Sequence, residues 1–386
     1  MSIACTMHTI KCRHATRSSA GFTLIELLVA STALLLIMFV IFSITDKTSD
    51  MWKNASLKIR QFRASRQAFD SMTQRLSDAT LNPYLDYEYP LKSDGSPDTS
   101  KAPTRYVRQS ELRFISGYAK ELLGTPSVHP THAIFFQAPL GYTENKKYGS
   151  FENLLNTWGY FIEFGDDMDH RPPFITESLA PRRYRYRLKE MMEPSENLTL
   201  YSYTSGHVDN DPTKPPRNLS YFTNPALTGL TQPSGLTPSG SGKEWFTTPL
   251  QPDRKLTRPV AENVIALILQ PRVSLAEENL AGTMLAPTYN YDSTAVRTNA
   301  ALNSRNQLPP IIQITMVVID EASASRLDKG PIPPDFGLST LFQDATKYDL
   351  DLKTLETTLA ARNIGFRTFT IALTIKGAKW SRDQVN

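Results

Sequence analysis

The sequence predicts an α+β fold: a long N-terminal helix, membrane-spanning in its first half, packs its second half on an antiparallel β-sheet head. Three observations predict this. No Pro or Gly interrupts residues 22–81, so one helix can run through them. The first part of that stretch is apolar apart from a single acid, and the second carries apolar residues at helical spacing. Beyond Pro83 the chain changes to short runs rich in β-branched and aromatic residues, divided by Pro, Gly, Ser and Asp, as in strands joined by turns.

The elements follow in order. Residues 22–44 form an apolar run of about 34 Å as helix, at 1.5 Å per residue, which exceeds a hydrocarbon core of about 30 Å. The residues before it carry Lys11, Arg13 and Arg17 and no acid, which favours a cytoplasmic N-terminus. Lys47, Lys53, Lys58, Arg60, Arg63 and Arg66 follow the run and weaken that asymmetry. From Asp46 the helix becomes amphipathic, with Trp52, Ala55, Ile59, Phe62, Phe69 and Leu76 on one stripe. The stripe is too short for a coiled-coil seam and reads as the face that meets the chain's own sheet. Pro83 ends the helix. The membrane half is therefore 22–45, the amphipathic half 46–82 and the head 83–386.

Within the head, residues 81–130 read as loop with little regular structure. Strands are expected at 133–137, 159–164, 184–190 and 198–203. Residues 205–259, rich in Pro, Gly, Ser and Thr, read as a long irregular excursion pinned by Trp245 and Phe246. Strong strands are expected at 264–270, 311–319 and 366–375, the last alternating as in a sheet with one covered face. Residues 350–362 read as a helix with Leu352, Leu355 and Leu359 on one face.

The acid in the apolar run is Glu26. A carboxylate in a lipid-facing helix costs roughly 2.5–3.5 kcal/mol at the helix centre on insertion scales, so its presence asks for a reason. Residues 21–26 read Gly-Phe-Thr-Leu-Ile-Glu, and together with the apolar run they resemble the processing site of type IV prepilins and of the pseudopilins of type II secretion. An ordinary signal peptide is cut after its apolar region; here the recognisable junction precedes it. The resemblance implies a leader at 1–21, cleavage after Gly21 by a prepilin peptidase, and N-methylation of Phe22. It also implies that Glu26 pairs with the terminal amine of a neighbouring subunit during assembly. Residues 68–82, 261–269, 308–322 and 360–380, the last ending Gly-Ala-Lys-Trp, resemble protein C of the Verru_Chthon cassette, a group of prepilin-type proteins. Size and layout are similar to the larger minor pseudopilins. The implied fold is pilin-like, and the implied location is a single pass of the inner membrane with a periplasmic head, then a pilus or pseudopilus. The implied partners are the prepilin peptidase, other pilin or pseudopilin subunits and the inner membrane.

Composition narrows the other classes. The 386 residues carry a net charge of +4. Removing the basic leader brings the rest close to neutral and leaves no case for nucleic acid as a partner. Both cysteines, Cys5 and Cys12, lie in the leader, so the remainder has no disulfide, thiol nucleophile or thiolate metal site. His129 and His132 lack a third metal ligand at a diagnostic spacing. Asp166, Asp167 and Asp169, and likewise Asp209 and Asp211, do not fit a Ca²⁺ loop and read as turn acids. Ser239-Gly-Ser-Gly-Lys243 fails the phosphate-loop pattern at Thr237 and Glu244. Arg182, Arg183, Arg185 and Arg187 alternate with Tyr184 and Tyr186 in part, and on a strand the two types segregate to opposite faces of a half-buried element. No nucleophile elbow and no paired catalytic acids stand out. The expectation is a structural subunit, not an enzyme, with no cofactor and no metal. The alternative is a membrane-anchored extracytoplasmic binding protein that recognises a glycan or an exported protein.

Overall fold

The computed structural model describes residues 23–95, 97–124, 128–202, 243–252, 254–295 and 302–381. Gly21, Phe22, the rest of the leader and residues 205–242 of the expected excursion lie outside them. The chain divides into two units, Met1–Leu57 and Lys58–Asn386.

In the first unit the described residues form the start of a helix, α1 (Leu24–Ser77), whose 54 residues correspond to about 81 Å. The large apolar side chains from Leu24 to Ile44 are all exposed. This helix is long and apolar enough to cross a membrane.

The second unit is α+β with antiparallel sheets only. In it α1 buries Ser65, Phe69, Met72 and Leu76, a stripe at spacings of three and four. Burial starts later than the sequence predicts: Trp52, Ala55 and Ile59 are exposed and Phe62 is half-buried. The helix also stops earlier, at Ser77 and not near Asn82. The amides of Asp78 and Ala79 turn back to Arg75 and Leu76 at 3.2 and 3.1 Å, and the amide of Thr80 then donates to the Gln137 carbonyl. A tertiary partner for the backbone ends the helix before Pro83 can.

Strands β1 (Tyr84–Glu88) and β2 (Arg105–Gln109) form a separate two-stranded sheet. Six strands form the second sheet: β3 (Ile115–Tyr118), β4 (His132–Pro139), β5 (Leu155–Gly165), β6 (Arg185–Glu193), β7 (Thr257–Glu262) and β9 (Tyr291–Asp292), in the order β7-β6-β5-β4-β3-β9. The third sheet has the order β11-β10-β8, from β8 (Val264–Arg272), β10 (Ile311–Ile319) and β11 (Phe366–Thr374). The chain passes from the six-stranded to the three-stranded sheet at Asn263, which takes the left-handed conformation (φ 61°) that Asn tolerates better than most residues.

Short helices fill the connections: α2 (Ala119–Leu123), α3 (Thr199–Ser202), α4 (Glu244–Thr247), α5 (Leu275–Ala281), α6 (Glu321–Leu327) and α7 (Tyr348–Ala361). Two expectations need correction here. Residues 81–130 hold β1, β2, β3 and α2, more regular structure than expected. Within the strand expected at 198–203, Thr199–Ser202 form a helical turn, because Pro194 and the turn after it redirect the chain out of the sheet; residue 203 lies outside the described residues. In the described part of the excursion, Trp245 and Phe246 are buried, and the Phe246 ring stacks on Phe135 at 4.3 Å.

The three-stranded sheet has α1 on one face and α7 on the other, while Thr370, Ala372 and Thr374 of the last strand stay exposed. On one face Phe69 of α1 meets Phe369 at 6.0 Å and the Arg367 guanidinium lies 5.5 Å over Phe62. On the other, Thr315 shares hydrogen bonds with Tyr348 of α7 (2.6 Å) and Thr370 (3.0 Å), and Thr368 donates to Glu356 at 2.9 Å. Leu355 and Leu359 of α7 are buried and Leu352 packs beside them. The two ends of α1 within this unit are anchored by polar contacts. The Gln61 amide donates to the Ile319 carbonyl (2.7 Å) and accepts from the Glu321 amide (2.8 Å), and Lys58 pairs with Asp320 at 2.7 Å. At the far end Arg75 pairs with the fully buried Glu190, which also takes Tyr160 (2.7 Å) and Arg258 (2.6 Å).

Candidate functional site

The apolar start of α1 holds one ionisable group, Glu26. Thr23 is the helix N-cap, and the pair forms a capping box. The Thr23 amide and hydroxyl each donate to Glu26 Oε2 at 3.0 Å, and the Glu26 amide donates to Thr23 Oγ1 at 3.3 Å. Glu26 stands out in the sequence by its charge; Thr23 is not among the residues expected there, although Thr-x-x-Glu before an apolar run is itself the signature of a capped helix start.

Three hydroxyl side chains of the segment bond within the helix. Ser31 donates to the Leu28 carbonyl (2.9 Å), Thr32 to Val29 (2.9 Å) and Thr45 to Ile41 (2.8 Å). Glu26 differs: both hydrogen bonds it accepts use Oε2, and Oε1 has no partner among the described residues. The arrangement thus presents a carboxylate with acceptor capacity to spare, on an exposed apolar helix, at the first turn. A cation brought alongside in low dielectric would gain strongly, because neither charge has water to fall back on. Of the three residues expected to act in processing and assembly, Glu26 is placed by the structure, while Gly21 and Phe22 lie outside the described residues.

The remaining candidate chemistry is spent on structure. His132 has no exposed surface; its Nδ1 accepts from the Leu269 amide at 3.0 Å, which leaves Nε2–H to donate to the Phe342 carbonyl at 3.3 Å. Burial, only partly offset by that hydrogen bond, lowers its pKa to about 3, so the imidazole is neutral. His129 contacts the Ile162 carbonyl through Nδ1 at 3.1 Å. Asp167 spends its oxygens on the Arg183 amide and the Arg171 and Arg183 guanidinium groups. Burial opposes ionisation there, but these donors outweigh it and hold the carboxyl at about 2. Among the described residues no group of three or more His, Cys, Asp or Glu could hold a metal ion.

The arginines of β6 correct the half-buried reading. Arg185 and Arg187 are as buried as Tyr186. Arg185 pairs with Asp328 (2.6 Å) and Glu321 (3.2 Å), and Arg187 donates to the carbonyls of Gly165 (2.9 Å) and Asp166 (2.8 Å). Their partners lie far along the chain or on the backbone, so no local signal could have found them.

One cavity of about 510 Å³ opens beside β6, lined in part by Tyr118, Lys120, His129, Tyr186, Asp335 and Phe336. Both phenols are engaged, Tyr118 with the Phe342 carbonyl and Tyr186 with the Pro334 carbonyl, each at 3.1 Å. Its volume and mixed lining are those of a small-molecule site.

No family model, curated protein or solved structure matches this chain.

Proposed function

We propose that the chain is a prepilin-like structural subunit of the pseudopilin type. It is inserted through residues 22–44, cut after Gly21 and N-methylated on Phe22 by a prepilin peptidase. It is then assembled through α1 into a type IV pilus or type II secretion-type pseudopilus, as a minor subunit. The head takes a pilin-like arrangement on the periplasmic side, and Glu26 neutralises the terminal amine of a neighbouring subunit. One observation carries this reading: the single charge of an exposed apolar helix sits in its first turn with acceptor capacity unspent. The Gly-Phe-Thr-Leu-Ile-Glu junction supports it. Co-expression with an active prepilin peptidase tests it. The leader should be lost only when the peptidase is active, and Gly21→Ala should block the cut. Retention of the leader in both cases contradicts the reading.

The cavity beside β6 favours a second reading, a membrane-anchored head that binds a glycan or a segment of an exported protein. A glycan array probed with the full chain in detergent separates the two. Saturable binding that is lost in Tyr118→Ala supports this second role, and an array without saturable binding removes the glycan.

A further inference from the structure

A β-strand at the edge of a sheet offers unpaired main-chain donors and acceptors, and proteins usually blunt such edges. In this head the described edges of the two larger sheets are blunted, with one exception. The free side of β8 is capped by side chains: the amides of Leu267 and Leu269 donate to Thr131 Oγ1 and His132 Nδ1, each at 3.0 Å. The edge strand β7 contains Pro259, and its register with β6 shifts at Leu188/Lys189. The opposite edge, β9, has two residues. By contrast β11 is nine residues long and pairs with β10 without a register shift from Ile311↔Thr374 to Ile319↔Phe366. It has no Pro and one charge, Arg367.

The groups that face outward can be assigned. The Ile375 amide donates to the Pro310 carbonyl (3.1 Å), and the Gly365 carbonyl accepts from the Asp320 amide (2.8 Å). Odd-numbered residues of this strand therefore address β10. Alternation sends the N–H and C=O of Phe366, Thr368, Thr370, Ala372 and Thr374 to the outer side. Thr370, Ile371 and Ala372 are exposed in succession. No main-chain hydrogen bond to the outward groups is present among the described residues.

We propose that the outer edge of β11 receives a β-strand from another polypeptide. Donors and acceptors repeated at every second residue match the main chain of an extended peptide, and a less regular ligand cannot satisfy them in series. A second copy of this chain does not fit, a step that rests on the anchored reading above. The α1 helix and β11 run in the same direction, with Phe62 beside Arg367, Phe69 beside Phe369 and Asp78 paired to Lys376. An antiparallel β11 pair about a two-fold axis would set the two helices head to tail, which chains held at their N-terminal ends by one membrane cannot adopt. A parallel pair about a two-fold would bring N–H against N–H. The occupant is thus a strand of different sequence, bound through its backbone, with small or β-branched uncharged side chains beside Thr368 and Thr370.

The test uses the full chain in detergent micelles and a nine-residue peptide of alternating Thr and Val as probe. The peptide should slow amide hydrogen exchange at Thr368, Thr370 and Ala372. An analogue N-methylated throughout should bind about tenfold more weakly or worse, the loss expected for two or more main-chain hydrogen bonds. Ala372→Pro removes an outward N–H and no bond to β10, so it should keep the melting temperature and lose the peptide; Thr370→Pro serves the same purpose if that variant misfolds. Equal binding of the N-methylated analogue overturns the proposal. So does unchanged exchange at those amides with the peptide in excess, or protection there without peptide that accompanies a doubled particle mass. The readout needs no leader cleavage or filament, so its failure leaves the assembly reading standing, and the reverse also holds.

Discussion

Thr23 and Glu26 hold each other at the start of α1: two donors from Thr23 meet one carboxylate oxygen at 3.0 Å, and the Glu26 amide returns a hydrogen bond to the Thr23 hydroxyl at 3.3 Å. The same side chain thus caps its own helix and keeps a second oxygen available. These two roles predict different outcomes for different substitutions.

Glu26→Gln keeps a capping box, since Gln serves at this position as Glu does, but it removes the charge. Glu26→Ala removes both. If the charge serves assembly, both variants should be processed at Gly21 and both should fail to enter filaments normally, as judged by immunoblots of sheared filaments. If the residue serves only as a cap, Glu26→Gln should assemble like the native chain and only Glu26→Ala should suffer. That second pattern would remove the proposed role of the acid.

Glu190 ties the end of α1 to the six-stranded sheet through Arg75, with Tyr160 and Arg258 as further partners. Its removal leaves a partly buried guanidinium, stacked 4.6 Å over Trp158, without a counter-charge. Glu190→Ala should cost about 3–5 kcal/mol of head stability, in the range for breaking a buried pair from one side. Chemical denaturation followed by near-ultraviolet circular dichroism measures it. A loss below about 1 kcal/mol, typical of a surface pair, would mean that this cluster does not hold the helix down.

Two buried groups give opposite pH responses. Burial pushes the Glu193 carboxyl up to about 7 despite the hydrogen bond from the Thr199 hydroxyl, whereas burial lowers His132 to about 3. On unfolding they return near 4.5 and 6.5. Glu193 therefore contributes stability that is complete below 4.5 and lost as pH rises through about 7. His132 contributes stability that is present above 6.5 and lost as pH falls below it. Between 4.5 and 6.5 the folded state holds a proton on Glu193 and the unfolded state holds one on His132, so the two slopes cancel. Glu193→Gln removes one of them. Relative to the native chain, its stability should rise by about 1.4 kcal/mol for each unit that pH increases in that window. Denaturation curves across the window check this, and a constant difference between the two proteins would contradict it.

Phe69 is an apolar contact between α1 and the three-stranded sheet, 2% exposed and packed on Phe369. Phe69→Ala should destabilise the head by about 3–5 kcal/mol. Trp52→Ala, at a residue 76% exposed in the single chain, should change stability by less than about 0.5 kcal/mol. Equal losses from both would show that Trp52 is covered in the folded monomer.

What the sequence made legible follows from where its signals are local. The α1 helix, the strands β4, β5, β6, β8, β10 and β11, and the helix α7 each carry a long apolar or periodic run, and each lies within a few residues of its expected place. The hairpin β1–β2 escaped notice because Tyr84, Leu85 and Tyr106 are exposed, so burial imposes no alternation on it. The stripe on α1 was placed too early because helical spacing shows which face is apolar and not where the sheet begins to cover it. Arg185 and Arg187 look like surface residues in a list of letters; only the fold brings Glu321 and Asp328 to Arg185 and the Gly165 and Asp166 carbonyls to Arg187. At the candidate site Glu26 is conspicuous as a charge among apolar residues, and the cap it forms with Thr23 is carried by the local Thr-x-x-Glu spacing.

The most direct measurement is the intact mass and N-terminal sequence of the protein recovered from the assembled state in its native host. The account requires a chain that begins at Phe22 and carries one methyl group on its amine. An assembled chain that still begins at Met1, or one cut beyond Ile44 and released from the membrane, would contradict it.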